Sequence, residues 1–125
     1  MKVLLAIKPE YANKIFAGTK KFEFRKTIFR NKSIRNIVVY ASSPVKRVIG
    51  EFEIDEIISL DKEELWEKTQ ESAGISKTHF DSYFVNKKLA YAIKIKSIKK
   101  YEIPLELNSE FNIKTAPQSF IYINA

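Results

Sequence analysis

The sequence predicts an α+β fold: a small β-barrel of five or six strands with about three short peripheral helices. Three observations predict it. Apolar and charged residues alternate with a period of two over several segments, as strands require. Ile93 and Ile95 against Lys94 and Lys96 are the plainest case, with Ile98 and Lys99 following beyond Ser97. Helical spacing is rarer and confined to short stretches. The helices do not alternate regularly with the strands, which argues against a doubly wound parallel sheet. The 125 residues fit one domain over 1–125, long enough to bury a core without staples.

Val3–Ile7 is a short apolar run suited to a buried strand. Pro9 opens a helix, since its missing N–H costs nothing in the first turn. Tyr11, Ala12, Ile15 and Phe16 follow at helical spacing, and Gly18 sits where a left-handed cap belongs. Phe22 and Phe24 then alternate with Glu23 and Arg25 as a strand. Residues 25–35 read as a basic connection with Ile28, Phe29 and Ile34 interleaved. Ile37–Ala41 is a second central-looking strand, and Ser42-Ser43-Pro44 is turn chemistry. Val48–Ile58 is a longer strand in which Gly50 permits a bend or bulge. Asp61 and Glu64 have capping-box spacing for a helix to about Ser72. Gly74 breaks that helix, and Ser76 starts another carrying Phe80, Tyr83 and Phe84 on one face. Leu89–Ile103 returns to strand. Pro104 and Pro117 bracket a loop, and Ser119–Ile123 closes the chain as a strand.

Composition removes several chemistries. The absence of cysteine excludes disulfides, thiolate metal sites and cysteine nucleophiles. The lone histidine, His79, excludes a histidine-rich metal centre and reads as structural or exposed. No metal and no cofactor is expected, a carboxylate-only magnesium site alone being left open. No segment has the roughly 18 apolar residues of a membrane span, and the short apolar start is no signal peptide, so the expected address is cytoplasmic.

The formal net charge is +7, unevenly spread. Residues 1–50 hold 12 Lys or Arg against 2 Asp or Glu; residues 51–75 hold 2 against 9. Clustered cations focus a field, which favours an anionic partner at one face. The acidic residues 51–71 fit a solvated face or a surface for a protein partner.

The segment Gly18-Thr19-Lys20-Lys21-Phe22-Glu23-Phe24-Arg25 concentrates chemistry. Glu23 and Arg25 are two apart on a strand and share a face, with Lys20 close by. A lysine offers a mobile charge for phosphate, or a base if burial lowers its pKa. Arginine grips phosphate or a base edge through paired hydrogen bonds, and a carboxylate orients either cation or accepts from a base amino group. Taken alone, the spacing of Glu23 and Arg25 fits a plain surface ion pair better than a site, because such pairs are abundant and individually weak.

The motif G-x-K-x-x-E-x-R resembles the signature of the ASCH domain, a member of the PUA-like superfamily. The likeness extends to Ile7-Lys8-Pro9-Glu10-Tyr11-Ala12, to Tyr40–Pro44 followed by Val48–Phe52, and to Pro117-Gln118-Ser119-Phe120. It implies a β-barrel with a cleft beside the motif and a role in RNA binding, RNA processing or modified-nucleoside chemistry. The expected partner is RNA or a nucleotide-like ligand. The expected binding residues are Lys20, Glu23, Arg25, Lys26, Phe29, Arg30, Tyr40, Ser42, Ser43, Ser119 and Tyr122. Ser119 or Tyr122 is expected to face Lys20 across one cleft. Phe29, among Arg25, Lys26, Arg30 and Lys32, is the preferred base-stacking residue, whereas Trp66 reads as a core anchor.

An RNA reader is the leading expectation. The alternative is a small hydrolase of the same superfamily, a ribonuclease or a modified-nucleoside amidohydrolase, with Lys20 and Glu23 catalytic. Related amidohydrolases carry a lysine at the position of Lys20 but a threonine where this chain has Glu23, so only the lysine carries over. A protein-binding adaptor is the third class.

Overall fold

Apolar residues on both faces of the first strand decide the layering. In β1 (Lys2–Ile7), Val3, Leu5 and Ile7 face one core cluster while Leu4 faces another. A strand buried on both sides reads as a continuous apolar run. The computed structural model describes residues 1–124. After β1 come α1 (Pro9–Phe16), β2 (Phe22–Arg25), β3 (Asn36–Ala41), β4 (Arg47–Asp61) and α2 (Lys62–Thr69). A short 3-10 turn over Gln70–Ser72, α3 (Lys77–Tyr83), β5 (Leu89–Leu105), α4 (Leu107–Phe111) and β6 (Phe120–Ile123) complete the described residues.

The six strands form one sheet in the order β2-β5-β4-β3-β1-β6. β1 and β3 are parallel, joined by a crossover through α1 and β2, and the other neighbours are antiparallel. The expected α+β class holds, but the strands do not close into a barrel. β2 and β6 are the two edges and share no backbone ladder. Each is only four residues long, and side chains span the remaining gap. Arg25 Nη2 donates to the Ser119 carbonyl at 2.9 Å, and the hydroxyls of Thr27 and Ser119 lie 3.4 Å apart.

Curvature comes from register slips. The β3–β4 ladder shifts between Val39 and Tyr40, opposite Val48 and Gly50, and β4–β5 shifts near the same place. Gly50 is required there by close approach. A Cβ on it would stand 2.6 Å from the Lys99 carbonyl and 2.7 Å from the Phe16 ring.

α1 packs Ala12 and Ile15 against β1 and β3, and α4 covers Leu4, Val38 and Tyr40 on the other side. A third cluster joins Phe22 and Phe24 of β2 to Leu65 of α2 and to Phe80 and Phe84 of α3. Each such buried aromatic contributes roughly 1.5–3 kcal/mol. Asp61 caps α2 through the Glu63 N–H, and Ser76 caps α3 through the His79 N–H. The fourth helix, α4, lies in the segment read as a loop; five residues are too few to display a helical period. No helix among the described residues is long and apolar enough to cross a membrane.

The acidic run divides between two elements. Its β4 half faces the lysines of β5: Asp55 pairs with Lys94 at 3.5 Å and Glu53 with Lys96 at 3.8 Å. Glu51 accepts from Lys2 and from the Tyr101 hydroxyl. That half is therefore internally compensated.

Candidate functional site

The local sequence forces Lys20 inward. Gly18 adopts φ +84 and ends α1 in the left-handed conformation that glycine takes most easily. The chain then reverses, and the Lys21 backbone docks on both sides: its N–H donates to Ser72 and its carbonyl accepts from Ile95. With Lys21 exposed, Lys20 points the other way and is only 2% exposed. Its Nζ donates to the Ala73 carbonyl at 2.6 Å and lies 4.8 Å from the Phe24 ring centroid and 5.4 Å from that of Tyr11. Gly74, at φ +71, leaves room for the lysine stem; a Cβ there would be 2.5 Å from Lys20 Cγ.

β2 continues the construction. Glu23 is buried, and its Oε2 accepts from Arg25 Nη1 at 3.4 Å. Arg25 is anchored by its bond to the Ser119 carbonyl. Lys20, Glu23 and Arg25 all line one cavity of about 220 Å³. Tyr11 of α1 and His79 and Tyr83 of α3 form its aromatic wall, and Lys8 stands at its rim. The Tyr11 hydroxyl is 2.9 Å from His79 Nε2, which ties α1 to α3.

Burial sets the electrostatics. Desolvation lowers the Lys20 pKa from 10.5 to about 8; Glu23 opposes that fall and Lys14 adds to it. Desolvation raises the Glu23 pKa, against the opposing pull of Arg25 and then Lys20. The Tyr83 phenol is also raised, chiefly by burial. A buried carboxylate between two cations, beside aromatic rings, suits a planar polar guest.

The family model for the ASCH domain matches residues 5–99, a span that contains every one of these side chains. The chain belongs to the ASCH family. The large ribosomal subunit protein uL22 of Ureaplasma parvum is 33% identical over 122 residues, covering 97% of this chain. The match spans only 39% of that relative's length. An ASCH domain-containing ribonuclease of Zymomonas mobilis is 28% identical over 125 residues, covering 98% of this chain and 84% of the relative. The crystal structure of ASCH from Zymomonas mobilis superposes with a TM-score of 0.89 at 28% identity, covering 98% of this chain and 87% of that one.

In this ASCH chain the expected site residues do not all gather. Lys20, Glu23 and Arg25 converge on the cavity. Lys26 is exposed just outside, its Nζ 4.9 Å from the Tyr83 ring centroid. Phe29 is core: it is buried and meets Phe120 edge to face with centroids 6.0 Å apart. Tyr40 is buried with Leu4 and Leu107. Ser42 and Ser43 lie in the turn after β3, where the Ser42 N–H donates to the Ile7 carbonyl. Ser119 meets Arg25 through its backbone carbonyl. Tyr122 borders a different groove, between α4 and β6. Its hydroxyl accepts from the N–H groups of Arg30 and Asn31, and the Arg30 side chain is exposed.

Sequence reasoning gave no site role to Gly74, the Ala73 carbonyl, His79 or Tyr83. The available signal was spacing. His79 and Tyr83 are four apart on α3 and so share a face, each with an aromatic body and a polar tip.

Proposed function

We propose that this ASCH chain binds RNA and seats one unstacked base in the cavity between β2, α1 and α3. The convergence of Lys20, Glu23 and Arg25 on one hollow carries the reading. Recognition of single-stranded RNA relies on aromatic stacking and on hydrogen bonds to base edges. Tyr11, His79 and Tyr83 offer the first, and the three ionisable side chains offer the second. The ribonuclease of Zymomonas mobilis, a relative by nearly its whole length, supports an RNA ligand. The reading sets the protein in the cytoplasm.

The test is binding of a fluorescent single-stranded RNA by the parent and by a Lys20→Ala/Arg25→Ala double variant whose fold is verified by circular dichroism. Binding should fall by at least about tenfold, since each lost charge-assisted hydrogen bond is worth roughly 1.5–3 kcal/mol. Unchanged affinity in the folded variant removes the cavity from RNA binding.

A second reading is hydrolysis of RNA, favoured by one observation. Burial holds the Lys20 pKa at about 8, so part of the population carries the free amine that a general base requires. Shortening of RNA by the parent but not by Lys20→Met supports it. Incubation with acetylated cytidine in parallel tests the amidohydrolase form of the same idea.

A further inference from the structure

Glu23 has unused hydrogen-bonding capacity. Its Oε2 accepts from Arg25, and no hydrogen bond reaches Oε1 among the described residues. No fully enclosed side-chain oxygen among them lacks a partner, so Oε1 opens onto the cavity that Glu23 lines. Along the chain, Glu23 lies between two donors. Lys20 enters before β2 and is pinned at Ala73; Arg25 leaves the end of β2 and is pinned at Ser119. Both cations act on the Glu23 carboxyl, Arg25 more than Lys20, and all three side chains line the cavity. The cavity floor thus presents an acceptor between two donors. Lys20 has three N–H bonds and Arg25 five, so both retain donors after these contacts.

A phosphate is the wrong guest for that floor. A phosphodiester is an anion with acceptors only, so it can accept from Lys20 and Arg25 but has nothing to donate to Glu23 Oε1. The floor calls for an uncharged group that donates to Glu23 and accepts on either side. Resting on the RNA-binding reading above, we infer that the cavity takes the base inward and leaves the phosphates at the rim, and that it reads an imide edge, the acceptor–donor–acceptor row of uracil O2, N3–H and O4. Cytosine offers two acceptors and then a donor, and guanine one acceptor and then two donors. Adenine has no acceptor–donor–acceptor row on its pairing edge. Lys8 and Lys26, exposed beside the mouth, meet the phosphates.

The experiment uses the unmodified protein and short single-stranded RNAs of equal length and charge. One has uridine at its central positions, one N3-methyluridine and one cytidine, in an otherwise constant strand; inorganic phosphate is added as a competitor at constant ionic strength. The uridine strand is expected to bind at least about tenfold more tightly than the N3-methyluridine and cytidine strands, because a missing donor leaves Glu23 Oε1 covered and without a partner. Phosphate is expected not to displace it selectively. Glu23→Gln, which carries its own N–H donor, should lose the preference. Equal affinity for the uridine and N3-methyluridine strands overturns the inference while leaving RNA binding intact. Preference for cytidine, or displacement by phosphate beyond the effect of matched salt, overturns it equally. If no strand binds, both the inference and the function beneath it fail.

Discussion

A methyl group on Gly74 would stand 2.5 Å from Cγ of Lys20, so the glycine and the lysine stem share one packed space. Gly74 therefore serves the site twice: its φ of +71 turns the chain between α2 and α3, and its missing side chain admits Lys20. Gly18 also has a positive φ, +84, but nothing lies within 4 Å of the place a Cβ would occupy. Comparing alanine at the two positions separates backbone strain from packing. Both variants should lose about 1 kcal/mol to the left-handed conformation. Gly74→Ala should lose a further 1–3 kcal/mol or so through overpacking. Urea unfolding measures both; equal losses would contradict the shared-space relationship.

Lys20 makes stability depend on pH in an unusual direction. Its folded pKa is about 8 and its ordinary value 10.5, so the folded state holds this proton less tightly than the unfolded chain. Between those pH values the unfolded chain binds more protons, and stability rises with pH. The full difference is worth about 3 kcal/mol. Urea melts of the parent and of Lys20→Met from pH 7 to 10.5 isolate it. The parent should gain on the variant as pH climbs through 8, and parallel curves would show that Lys20 is not desolvated as described.

Arg25 bridges the open side of the sheet. Its Nη2 bonds the Ser119 carbonyl just before β6, while Nη1 faces Glu23 on β2. Arg25→Lys keeps the charge near Glu23 but loses the planar fork that reaches both partners. Amide hydrogen exchange over Phe120–Ile123 should accelerate by about tenfold or more, as expected for losing a hydrogen bond to a charged group. The β3 and β4 amides should stay protected. Uniform acceleration would mean a global effect instead of an edge fastening.

Much of this was legible because short-range rules decided it. Pro9 and Gly18 frame α1, Ser76 caps α3, and β2 alternates as written. The G-x-K-x-x-E-x-R motif located the cavity because its three polar residues are near neighbours in sequence. What was missed lies far away along the chain. The partners of Lys20 are at 73 and 74, and the aromatic wall comes from α3. Nothing local distinguishes Phe29, which is buried, from an exposed stacking residue, because basic neighbours surround it either way. The Arg25–Ser119 fastening joins positions 94 apart and follows only from the sheet order.

Rim lysines and ladder lysines should differ in their response to salt. Lys8 and Lys26 are exposed beside the cavity, and neither forms an ion pair among the described residues. Lys96 is paired with Glu53 across the β4–β5 ladder. Neutralising one phosphate of a single strand releases counterions and contributes about 0.7 to the slope of log affinity against log salt. Lys8→Gln and Lys26→Gln should each flatten that slope by about this amount, and Lys96→Gln should leave it nearly unchanged. Neither rim change should alter the preference among bases, since the phosphates met there carry no sequence information. Anisotropy titrations of the same RNA over a range of salt measure all three. A slope that falls equally in all three variants would mean that the RNA follows the overall charge of the protein and not the mouth of this cavity.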